Sequence, residues 1–191
     1  MPSLSVVMAS KDENPLFLKK CINSIVNQKF NDFEYIIVIN PNDNNKHLIY
    51  ELSKNNDSIK VVLNKIKPNV SISRNIGIEN SVGEYIALVD SDDNYNPNRF
   101  TKQKAFLDKN SDISVVGTNI ALIDSDDNII GERVYPEFHK DIKKAFLYNM
   151  AIANPSIMLR RKDLLEVGFF NENYAKAEDL DLWLRFLSNK K

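Results

Sequence analysis

Apolar residues in the first half of the chain gather into short runs, separated by polar stretches that carry a helical period. Leu4 to Ala9, Tyr35 to Ile39, Ile59 to Leu63 and Tyr85 to Val89 are runs of strand length with almost no polar interruption. Between the first two, Leu18, Ile22, Ile25 and Val26 recur at helical spacing. They follow Asn14-Pro15, an N-cap residue with proline at the first helical position. His47 to Lys54 predicts a second helix. Ser71 to Ser81, carrying Ile72, Ile76 and Ile78, predicts a third despite the helix-weakening Gly77. Asn96-Pro97 repeats the cap-plus-proline signal before Phe100, Lys104, Phe106 and Leu107. Wholly apolar strands alternating with helices predict a parallel sheet covered on both faces, a doubly wound α/β arrangement.

Beyond residue 112 the rhythm changes. Ile113 to Ile123 is one long β-like run, and Asp126-Asp127-Asn128 predicts a turn into Ile129-Ile130, hence a hairpin. A helix over Lys140 to Tyr148, a strand at Ile157 to Leu159 and a helix from Leu180 to Leu187 complete the pattern.

Composition narrows the class. The chain has 191 residues, 43% hydrophobic and 27% charged, with a net charge of −1. That is globular, and it offers no electrostatic footprint for nucleic acid. The single cysteine, Cys21, falls in an apolar helical pattern and reads as a buried thiol in a reducing compartment. No apolar run reaches the roughly 18 residues of a membrane span, and the amino terminus lacks the regions of a signal peptide. A cytoplasmic location is expected, compatible with peripheral association at the inner face of the membrane.

The chemistry concentrates in carboxylates. Asp90-Ser91-Asp92-Asp93-Asn94 ends the fourth apolar run, and ligands of open α/β sheets bind beyond the carboxyl ends of the strands. Crowded carboxylates resist ionisation unless a positive charge joins them. Two readings stand: a divalent-metal site, and a solvated loop capping the next helix. The same string recurs at 124–128 between two β-like segments, where a hairpin tip accounts for it. Neither copy is an EF-hand, because Tyr95 and Ile129 stand where the calcium loop needs glycine. Glu178-Asp179-Leu180-Asp181 likewise has two readings, favourable charges in a helix's first turn and a general base beside the crevice. His47 and His139 have no metal-ligand spacing, and no glycine-rich phosphate loop is present.

The order of these features resembles the family 2 glycosyltransferases of the GT-A fold, of the bacterial surface or capsular polysaccharide type. The resemblance runs from Ser5-Val6-Val7-Met8-Ala9-Ser10 through Ser73-Arg74-Asn75-Ile76-Gly77-Ile78 to Gly83 to Asp93, which is similar to the family's strand plus Asp-x-Asp. Asn154-Pro155-Ser156 to Arg161 and Glu178 to Trp183 resemble two later blocks. The resemblance implies one GT-A domain over 1–191, a Rossmann-like, mostly parallel sheet flanked by helices. It implies a nucleotide diphosphate sugar donor, a UDP-sugar foremost, and a glycan or lipid-linked acceptor hydroxyl. Asp90 would touch the ribose and Asp92 would bind Mn²⁺ or Mg²⁺, with Ala9, Ser10, Glu13, Asn40, Arg74 and Ser91 completing the donor site. Asp179 falls at the catalytic base, with Glu178 helping to place the acceptor. A single base opposite the leaving group implies displacement with inversion.

Three departures bear on this. Lys11 stands where the family commonly has tyrosine and Asn40 where it has aspartate, and Lys65 to Val70 lacks the usual glycine. Only a dozen residues follow Asp179, whereas the family continues into acceptor-binding structure, so a truncated or modular chain is expected. A phosphatase-type hydrolase is disfavoured by Asn94, and a nucleotidyltransferase by the missing glycine-rich loop. A catalytically silent nucleotide-sugar-binding module is the remaining alternative.

Overall fold

The computed structural model describes residues 1–67, 69–174 and 176–189. Six strands form the main sheet, in the order Ile59–Leu63, Phe33–Ile39, Leu4–Ser10, Tyr85–Val89, Met158–Arg160 and Val115–Val116. Its parallel part is β1 (Leu4–Ser10), β2 (Phe33–Ile39), β3 (Ile59–Leu63) and β4 (Tyr85–Val89), the four strands expected from the apolar runs. Helices α1 (Pro15–Val26), α2 (Lys46–Lys54) and α3 (Val70–Glu79) make the crossovers. Asn14 caps α1 as its spacing predicts, its side chain accepting from the Leu16 N–H at 2.9 Å, with Pro15 next.

The two sheet faces are covered by different helices. Alternation along β1 sends Leu4, Val6 and Met8 to the face covered by α1, α2 and α4 (Arg99–Lys109), and Val7 to the other. There Val7, Ile86 and Leu88 meet Ile78 of α3, Leu164 of α6 (Arg161–Val167), and Leu182, Trp183 and Phe186 of α7 (Glu178–Asn189). Each such fully buried aliphatic side chain stabilises by roughly 1.5–3 kcal/mol before entropy is counted. Gly77 is where α3 touches the sheet: a Cβ there would run into the side chain of Val7. The residue that weakens the helical pattern is the one that lets the helix close on β1.

Several expectations are corrected. Helix α4 begins at Arg99, after a turn in which Asn96 Oδ1 accepts from the Asn98 N–H, and the Pro97 carbonyl accepts from Lys29. Asn96-Pro97 therefore shapes the approach to the helix and does not cap it. The run Ile113 to Ile123 splits at Gly117-Thr118-Asn119 into β5 (Val115–Val116), in the main sheet, and β6 (Ile120–Ile123), which pairs with β7 (Ile129–Arg133) as the expected hairpin. The predicted helix near 140–148 is shorter, α5 (His139–Ala145). Strand β8 (Met158–Arg160) lies antiparallel to β4, which leaves the sheet mostly parallel, as the family resemblance implies. Helix α6 had no sequence signal beyond Leu164, its buried apolar residue. Helix α7 starts two residues before the expected Leu180, taking Glu178, Asp179 and Asp181 into its first turn.

Candidate active site

The carboxyl ends of β1, β2 and β4 lie side by side, because β1 pairs in parallel with both neighbours. Met8 is opposite Val89 and Ser10 opposite Ile39, which brings Ala9, Ser10, Asn40, Asp90 and Ser91 to one edge. Ser10 is buried and its hydroxyl has no hydrogen-bond partner. Glu13 takes the Asn14 N–H on its carboxylate at 2.8 Å, and its carbonyl accepts from Asn45 Nδ2 at 2.7 Å. Lys11 is exposed.

Loops at this edge are laced together by residues the motif pattern did not single out. Asp43 is buried and accepts from the N–H groups of Asn45 and Asp12; Asp12 in turn accepts from Asn44. Asp12 holds a left-handed backbone with φ 53°. Asn40 sits at the start of this turn, its carbonyl accepting from the Asp43 N–H. The short polar residues after β2 thus fix the loop by side-chain-to-backbone bonds.

Arg74 ties the distant parts of the site together. It projects from α3, is 8% exposed, and donates from Nη2 to Asp90 Oδ1 at 3.0 Å and from Nη1 to Glu178 Oε1 at 2.9 Å. Its guanidinium carbon stands 5.4 Å from the centre of the Phe170 ring. One fork therefore joins the end of β4 to the start of α7. Asp179 is half-buried beside Glu178, and its carboxylate accepts from the Leu180 N–H at 2.8 Å. Ala177, just before, has φ 62°, a left-handed turn that directs the chain into α7.

The acidic loop is built around Tyr95, whose hydroxyl accepts from the Asp90 N–H at 2.8 Å and lies 3.4 Å from Asp93 Oδ2. Behind that ring is the buried Arg99, its guanidinium 4.8 Å from the ring centre and bonded to the carbonyls of Leu88 and Ile157. Burial, then the negative charges of Asp90 and Asp92, push the Asp93 carboxyl up to about 6. Asp92 is exposed at the tip of the loop. Among the described residues, no group of three or more His, Cys, Asp and Glu could hold a metal unaided. The donor set nevertheless fits Mg²⁺ or Mn²⁺, which use one or two carboxylates and complete their shell with substrate phosphate oxygens.

The second acidic string is structural. Asp124 accepts from the N–H groups of Asp126 and Asn128 at the hairpin tip, and bonding to Asn128 holds its carboxyl below the usual range. Asp127 pairs with Lys20 at 2.6 Å.

The profile of glycosyl transferase family 2 matches residues 5–169, from β1 through α6. The chain belongs to this family. An uncharacterised glycosyltransferase of Methanocaldococcus jannaschii is 35% identical over 98% of this chain and 66% of its own length. The O-antigen biosynthesis glycosyltransferase WbnJ of Escherichia coli is 32% identical over 97% of this chain and 72% of its own. A crystal structure of TarS from S. aureus in complex with UDP-GlcNAc superposes with a TM-score of 0.77 at 20% identity, over 97% of this chain and 53% of that one. The fold is thus GT-A, and the chain spans about two-thirds of the Methanocaldococcus relative's length. The family match ends before Glu178; α7 packs on the matched part through Leu182, Trp183 and Phe186 and is bonded to it by Arg74.

Proposed function

We propose that this family 2 chain carries the donor site and the base of an inverting glycosyltransferase. Its substrates are a nucleotide diphosphate sugar, a UDP-sugar foremost, and a hydroxyl of a glycan or lipid-linked acceptor. The observation that carries the reading is the fork of Arg74, which joins Asp90 of the acidic loop to Glu178, the neighbour of Asp179. Binding of UDP-GlcNAc by the similarly folded TarS supports the donor class, and the O-antigen role of WbnJ supports the acceptor class.

In this reading the nucleoside lies across the ends of β1 and β2, against Ala9, Ser10, Glu13 and Asn40. Asp90, held at its carboxylate by Arg74 and at its N–H by Tyr95, is oriented toward the ribose, with Ser91 beside it. Asp92 is the residue that would hold Mn²⁺ or Mg²⁺, which when bound stabilises the charge growing on the leaving diphosphate. Asp179 takes the proton of the attacking hydroxyl. Glu178, fixed by Arg74, orients the acceptor. One base on the face opposite the leaving diphosphate corresponds to a single displacement with inversion.

Donor hydrolysis by Asp179→Asn tests the base. Turnover is expected to fall about 100-fold or more while nucleotide affinity is retained; unchanged turnover would remove Asp179 from the role.

A further inference from the structure

Asn154 opens a 3₁₀ turn (Asn154–Ser156) that leads into β8. It is 6% exposed, yet neither Nδ2 nor Oδ1 has a hydrogen-bond partner. Its neighbours in the turn are satisfied: Ser156 Oγ donates to the Ala153 carbonyl at 2.8 Å and accepts from the Thr118 N–H at 3.2 Å. A carboxamide can make several hydrogen bonds, and burying all of them unmade is costly unless a ligand or an ordered water completes them.

Register places this side chain's backbone beside the acidic loop. Strand β8 runs antiparallel to β4 with Met158 opposite Ala87, and the Leu88 N–H donates to the Ile157 carbonyl at 3.3 Å. Continuing that ladder takes the 3₁₀ turn past the end of β4, against which it packs. Two unpartnered polar side chains, Ser10 at the end of β1 and Asn154 before β8, belong to the strands on either side of β4 and so flank Asp90-Ser91-Asp92.

We infer that Asn154 binds the transferred sugar, its carboxamide completing hydrogen bonds with a ring hydroxyl. This rests on the donor reading above. If the nucleoside covers β1 and β2 and the diphosphate meets the loop after β4, the next group along the donor lies toward β8. A sugar hydroxyl donates and accepts at once, as a carboxamide does, and a neutral side chain suits a neutral sugar. Asn154 is a specificity and positioning residue by this account, with no part in proton transfer.

The test compares UDP with UDP-glucose and UDP-GlcNAc by calorimetry in the presence of Mn²⁺, for the wild-type chain and Asn154→Ala. The variant is expected to bind UDP as the wild type does and to bind the preferred UDP-sugar about two- to tenfold more weakly, the loss of a neutral hydrogen bond. Its melting temperature is expected to hold or rise, since an unsatisfied amide has been removed. Equal sugar-to-UDP affinity ratios in the two proteins overturn the role of Asn154 alone, as does an equal loss for UDP and UDP-sugar with a lowered melting temperature. A wild-type chain that binds no nucleoside diphosphate overturns the donor reading itself. Should Asn154→Ala not fold, monodeoxy analogues of the preferred UDP-sugar are measured on the wild type. One position must then show the same two- to tenfold loss, and uniform affinities refute the contact.

Discussion

The guanidinium of Arg74 lies 2.9 Å from the carboxylate of Glu178, although 104 residues separate them in the chain. Both side chains are largely withdrawn from water, at 9% and 13% exposure. A buried pair of this kind adds little net stability, but removing one partner strands the other. Arg74→Met is therefore expected to cost about 2–4 kcal/mol, less than a wholly buried pair because Asp90 stays wetter. Urea denaturation measures it. Arg74→Lys keeps the charge without the fork and should hold one partner only, retaining part of the stability but losing donor affinity.

Asp93 gives the structure a pH dependence. Its carboxyl titrates near 6 in the fold and near the ordinary aspartate value, about 4, when unfolded. The folded chain thus holds the proton more tightly, so the stabilising contribution is present below about pH 4 and fades as pH rises through about 6. Asp93→Asn should raise stability at about pH 8 by about 1–2 kcal/mol, after allowance for solvent screening. Near pH 4 it should raise it much less. Denaturation midpoints of both proteins at the two pH values give the comparison.

Gly77→Ala sets two effects against each other. Alanine favours the helix by about 1 kcal/mol, but its methyl group would collide with Val7 and crowd Val38 at 3.3 Å. Overpacking between α3 and the sheet typically costs about 1–3 kcal/mol. Net destabilisation is expected in thermal melting, and a stabilised variant would show that α3 can move off β1.

The twin acidic strings provide an internal control. Asp124→Ala removes a carboxylate whose bonds all stay within the hairpin tip, and should leave nucleotide binding unchanged. The same change at Asp92 should not. A binding defect in Asp124→Ala would draw the hairpin into the site.

These contrasts show where sequence alone was sufficient. Strands β1 to β4 were readable because each is an apolar run bounded by turn formers, and with them came the edge carrying Ser10, Asn40 and Asp90. Position in the fold, and not the string itself, separated Asp90-Ser91-Asp92-Asp93-Asn94 from its copy at 124–128. The second half was harder for physical reasons. Gly117 to Asn119 breaks one continuous β pattern into strands of different sheets, and α6 buries too few apolar residues to show a period. The roles of Tyr95 and Arg99 depend on stacking and on bonds to carbonyls of other strands, which no local pattern records. The pairing of Arg74 with Glu178 is of the same kind.

On the proposed function, the loop after β4 holds a nucleotide diphosphate together with a divalent cation. Titration of UDP into the wild-type chain and into Asp92→Ala, with and without Mn²⁺, tests it most directly. The wild type should bind UDP more tightly with Mn²⁺, and Asp92→Ala should lose about tenfold or more, the scale of a charged contact, in the presence of the metal only. Binding of UDP that is indifferent to Mn²⁺ and to Asp92 would remove the loop from the donor site.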